Sequence, residues 1–160
     1  MIGDDVYGER RHQGAGGEKR DAVKYMILMY SSQQDYDILA GKSPDGPAFG
    51  PEDFAPMHAF MESFTSDLAA SGELVDTQGL AAPVQTRRIQ VQGGVPVVTD
   101  GPYAETQEVL SGYWIVECES FDRATEIAAR LAGCPSPGDV FADGVADVRP
   151  ILDGYDDLGM

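Results

Sequence analysis

His58 and Asp100 are the two residues of this sequence whose types best suit catalysis. An imidazole titrates near neutrality and serves as general base or acid, provided that a carboxylate orients it. Three acids are candidates. Glu62 lies four residues on in a helical reading and reaches His58 as a surface pair. Asp67 lies about 180° around the same helix and does not. Asp100 has to come from elsewhere in the fold. It stands in "TDGPYAET", residues 99–106. There an Asp ahead of Gly-Pro suits a turn in which its side chain accepts from backbone amides, Gly101 supplies an unusual φ and Pro102 fixes its own. Two readings of Asp100 stand side by side: a rigid connection between strands, or a platform that presents a carboxylate to a cleft. Tyr103, Glu105 and Arg87 are the candidate ligand contacts around it. Arg87 and Arg88 alternate on a strand, so one faces inward, to hold an anionic ligand or to balance Asp100. One histidine and one acid suit proton transfer or hydrolysis of a small polar molecule, and do not suit unaided redox chemistry. No His/Cys/Asp cluster has metal-ligand spacing, so neither a metal nor another cofactor is expected. Cys118 and Cys134 read as small hydrophobes.

The elements that must position these residues are legible as periodicities. "KYMILMY", residues 24–30, is a continuous apolar run of strand length. A long loop rich in Gly and Pro follows, of the kind that is functional or mobile. Over Pro51–Ala70 the residues Phe54, Met57, Met61, Phe64 and Leu68 form one helical stripe, with His58 about 80° from its centre, and Gly72 ends the helix. "ELVDTQGL" reads as a short strand. "TRRIQVQ" and "VPVVT" flank Gly93-Gly94 as a hairpin. "GYWIVECE" is a strand with Trp114, Val116 and Cys118 on one face and Tyr113, Ile115 and Glu117 on the other. Ser120 caps a second helix through Phe121, Ala124, Ile127, Ala128 and Leu131. "VADVRPI" is the closing strand. The order β-α-β-β-β-β-α-β with two one-sided helices gives an α+β layer of ferredoxin-like type. Large residues, Trp114 or Tyr113 among them, are left for the open face of the sheet, and a homodimer is expected to cover them.

Length and charge set the frame. With 160 residues, 42% of them hydrophobic, the chain suits a single domain with a loose end. Residues 1–23 read as a disordered extension, 24–152 as the domain and 153–160 as an acidic tail. No run of 18 apolar residues exists, so no membrane-spanning helix is expected. The N-terminus lacks the apolar centre of a secretory signal and cysteines are few, so the expected location is cytoplasmic. The net charge is −16, and within residues 24–160 only Arg87 and Arg88 adjoin, which argues against direct nucleic-acid binding.

"VTDGPYAETQEVLSGYWIVECESFDRATEIAARLAGCP" followed by "ADVRPI" resembles the YCII-related family, and in particular its DGPF branch, whose members carry a DGPFAETKE-like motif and a closing VEVRP strand. "KYMILMY" and "GELVDTQGL" are similar too, so the resemblance runs over about residues 24–152. Tyr103 stands for the usual Phe, Gln107 for Lys, Ser111 for Gly and Asp147 for Glu. The resemblance implies a ferredoxin-like fold that pairs into a dimeric, barrel-like α/β assembly, with a biochemical role largely unassigned. It implies a His–Asp pair, for which His58 and Asp100 are the matching types here. It also implies a functional link to extracytoplasmic-function sigma factors. The rival to a small enzyme is therefore a ligand-sensing or partner-binding accessory module.

Overall fold

The computed structural model describes residues 22–158, so the expected extension up to residue 21 lies outside the described residues. Strand β1, Val23–Ser31, runs through the middle of a four-stranded sheet. Helix α2, Pro51–Ala70, leads to β2, Leu74–Gly79. Strands β3, Arg87–Gln92, and β4, Val95–Asp100, form a hairpin, and β5, Val109–Cys118, returns to the sheet. Helix α3, Phe121–Ala132, precedes β6, Ala146–Pro150. The sheet order is β2-β5-β1-β6 with every neighbouring pair antiparallel. With the hairpin set aside this is β-α-β-β-α-β, consistent with a ferredoxin-like fold.

Alternation along the central strands decides which face is dry. Tyr25 and Ile27 on β1 and Trp114, Val116 and Cys118 on β5 are buried against Phe64 and Leu68 of α2 and Ala124, Ile127, Ala128 and Leu131 of α3. Trp114 is 7% exposed, and its ring meets Phe64 edge-on at 4.9 Å. Such a pair adds about 0.5–1.5 kcal/mol to area burial. This decides between two expectations: Trp114 packs under the helices, and Tyr113 takes the open face. The open face belongs to the alternate set, Met26 and Leu28 on β1 opposite Ile115 and Tyr113 on β5. These are half-buried in the chain by itself.

Two further departures have local causes. The loop after β1 contains a helix, α1, Gln33–Leu39. Ser32 and Asp35 form a capping box: the Asp35 amide donates to Ser32 Oγ at 3.2 Å, and the Ser32 amide to Asp35 Oδ2 at 2.9 Å. That exchange satisfies two of the amides a helix start leaves unpaired. The hairpin, turned by Gly93 and Gly94 at φ +56° and +78°, forms its own two-stranded sheet. Left-handed φ at both positions is the geometry that matches strand twist in a two-residue turn.

Candidate functional site

An open space that could hold a molecule lies at the end of the sheet where β1 finishes and β5 begins. It is a cavity of about 300 Å³, at the lower end of the usual range for small-molecule sites. Each wall comes from a different element. β1 ends there with Met29, Tyr30 and Ser31; α2 contributes Met57 and Met61; α3 contributes Leu131 and Ala132. Cys134 and Phe141, from the segment between α3 and β6, close a further side.

Helix α1 completes the enclosure with Tyr36 and Leu39. With seven residues and no buried side chain, it would be marginal alone. Three long-range bonds fix it. The Tyr36 hydroxyl donates to the Leu80 carbonyl at 2.8 Å, the Gln33 side-chain oxygen accepts from the Val84 amide at 2.8 Å, and the Gln34 amide donates to the Glu105 carbonyl at 2.9 Å. The wall of the cavity is thus tied to the connection after β2 and to the segment after the Asp-Gly-Pro turn.

None of the residues around the cavity is Asp, Glu, Lys, Arg or His. Its titratable groups are held protonated. Burial pushes the Tyr36 phenol and the Cys134 thiol up. The Tyr30 phenol is raised first by its hydrogen bond to the Asp147 carboxylate and then by burial. A thiol pushed up is a poor nucleophile near neutral pH, and a protonated phenol is no base. These groups shape and polarise the space.

The residues singled out by type lie around the outside. His58 is on the exposed side of α2, its ring stacked on Phe54 at 6.1 Å between centroids, while Met57 just before it and Met61 three residues on line the cavity. Asp100 ends β4, where Oδ1 accepts from Arg87 Nε at 3.0 Å; the two side chains are 77% and 69% exposed. Arg87 therefore balances Asp100 directly across the hairpin. Among the described residues no hydrogen bond or ion pair joins His58 to Asp100. Gly101, at φ +53°, sets its α-carbon so close to Val84 that a Cβ would come within 3.3 Å of the carbonyl oxygen, which explains the glycine. Tyr103 lies beneath Arg88, the guanidinium carbon 5.2 Å from the ring centre. Glu105 is exposed, and its backbone carbonyl rather than its carboxylate makes the contact that matters, to α1.

A second recess, beside the start of α3, is built around an ion pair. Arg123 grips Glu73 with two bonds, Nε to Oε2 at 2.9 Å and Nη2 to Oε1 at 2.8 Å. Arg123 holds the Glu73 carboxyl below its usual range, and Glu73 in turn pushes the guanidinium up. Arg123 also donates to Glu126 at 3.1 Å and Glu73 also accepts from the Ser71 hydroxyl at 2.9 Å, a network that ties the start of β2 to α3.

Sequence reasoning missed the cavity because its walls are dispersed. Met57 and Met61 were visible as part of an apolar stripe, but Tyr36 and Leu39 fell in a segment read as loop. The signal that would have found them is Ser32 with Asp35, an N-cap followed three residues later by an acid.

Similarity to known proteins adds the family. A segment of the chain is 32% identical over 82 residues to an uncharacterised protein of Rhizobium meliloti (strain 1021), covering 51% of this chain and 61% of that relative. The chain thus spans about three-fifths of the length of the curated relative it matches. The family model of the YCII-related domain matches residues 23–153, the whole of the fold described above. The chain belongs to the YCII-related family.

Proposed function

We propose that this protein is a small-molecule-binding module of the YCII-related family, of its DGPF branch, that works as a homodimer. The observation that carries the reading is the cavity of about 300 Å³ with no ionisable side chain of the carboxylate, amine, guanidine or imidazole kinds in its lining. Such a space holds a ligand by burial and shape. The groups with catalytic potential, His58 and Asp100, stand apart from it, which favours sensing over turnover. The ties from α1 to Leu80, Val84 and Glu105 give an occupied cavity a mechanical route to the hairpin and the Asp-Gly-Pro turn. An accessory role beside an extracytoplasmic-function sigma factor, as the DGPF resemblance implies, fits a module of this kind. The test is isothermal titration with 1-naphthol, a neutral two-ring probe. Wild-type protein should bind it and Ala132→Trp, which adds bulk to the cavity wall, should lose at least tenfold in affinity. Equal affinity in the two proteins places the ligand elsewhere and refutes the reading.

The dimer rests on the open face of the sheet, where Met26, Leu28, Tyr113 and Ile115 are only half-buried among the described residues. An apolar sheet centre bounded by polar edges is the pattern of an association surface. Two sheets meeting there would give the barrel-like assembly. Light scattering should report a dimer at micromolar concentration and a monomer for Leu28→Arg. A wild-type monomer at that concentration would remove this part of the proposal.

A further inference from the structure

We propose that the cavity selects a neutral aromatic molecule carrying one small polar substituent. This inference rests on the binding reading above and names the ligand class of the same site. Three features of the lining point to it. The first is sulfur. Met29, Met57 and Met61 bring three thioethers to one small space, from β1 and from two positions a helical turn apart on α2. Thioethers are polarisable, adapt to irregular outlines and make favourable contacts with aromatic rings. The second is the aromatic wall. The Tyr36 hydroxyl is committed to the Leu80 carbonyl, so Tyr36 offers the ligand its ring rather than a donor. Phe141 adds a second ring.

The third is the treatment of charge. No carboxylate, ammonium, guanidinium or imidazole lines the space, and burying an unpaired ion costs several kcal/mol. Asp147, which pairs with Leu28 across β1 and β6, is not among the lining residues and offers no counter-ion to a cation there. An anion meets a further obstacle outside, because the chain carries a net charge of −16 and repels it at long range. Polar capacity remains in the hydroxyls of Ser31 and Ser111 at the strand end. Each is a donor and an acceptor, enough for one hydroxyl or carbonyl on the ligand.

A matched series tests the class on the full chain. The probes are 1-naphthol, 1-naphthoate, (1-naphthyl)methylammonium and the saturated ring analogue 1-decalol, titrated calorimetrically against wild type and Ala132→Trp. The expected result is that 1-naphthol binds most tightly, that both ions are at least tenfold weaker, that 1-decalol is weaker by a smaller factor, and that Ala132→Trp weakens 1-naphthol. If either ion equals or exceeds 1-naphthol, and Ala132→Trp still weakens it, the site stands and the neutral class is wrong. If 1-decalol equals 1-naphthol, the aromatic part is wrong. If none of the four binds, or Ala132→Trp leaves all of them unchanged, both the class and the site are overturned.

Discussion

The β3–β4 hairpin and the cavity end of the sheet use apolar residues in opposite ways. The hairpin is continuous in sequence and every one of its strand residues is exposed, including Ile89 at 59% and Val91 at 71%. Its order comes from backbone pairing, the two-glycine turn and an ion pair between its ends. The cavity end is assembled from three helices, two strands and a connecting loop, and its lining comes from four separate stretches of the chain: the end of β1 with α1, the middle of α2, Ser111 of β5, and the end of α3 with the segment after it. The difference teaches where chemistry hides. A compact run of acid, glycine, proline and aromatic draws attention because its parts are neighbours. A space that can hold a molecule needs parts from distant places, since only distant segments can face one another.

Substitutions can break this contrast or sharpen it. The largest effect is expected under the helices. Trp114→Ala removes the ring that Phe64 packs against and should cost about 3–5 kcal/mol in chemical denaturation, by lost burial and the cavity left behind. A loss below 1 kcal/mol would mean that this side of the sheet is not the structural centre. The hairpin should be far more tolerant. Asp100→Asn weakens only an exposed pair with Arg87, and exposed pairs contribute about 0–1 kcal/mol. The same variant probes the pairing of His58 with Asp100. Because no contact joins them, the His58 ring resonances in NMR spectra should stay in place when Asp100 becomes Asn. A clear displacement in a folded variant would show that the two side chains meet, and would restore the proton-transfer reading.

Much of the frame was legible because it follows from period alone. The Phe54-to-Leu68 stripe, the alternation of Trp114, Val116 and Cys118, and Gly93-Gly94 between two apolar runs each specify an element locally. The α+β layer followed from one-sided helices, whereas the strand order β2-β5-β1-β6 came from the structure. What was misread needed tertiary information. Alternation separates Trp114 from Tyr113 but does not say which set meets the helices; the packing of Phe64 decides that. Helix α1 is short, with no buried residue to give it a stripe, so only its cap announced it. Whether Asp100 and His58 meet is a separate question, because it depends on distances between elements, which no spacing along the chain encodes.

The central claim is that a ligand enters the space between β1, α1, α2 and the end of α3, and the methionines report on it directly. Met29, Met57 and Met61 line that space, whereas Met26 lies on the opposite face of β1. With methyl-labelled methionine, addition of 1-naphthol should shift the methyl resonances of Met29, Met57 and Met61 saturably and leave that of Met26 in place. Saturable shifts confined to Met26, or a bound probe that leaves Met29, Met57 and Met61 unmoved, would contradict the account.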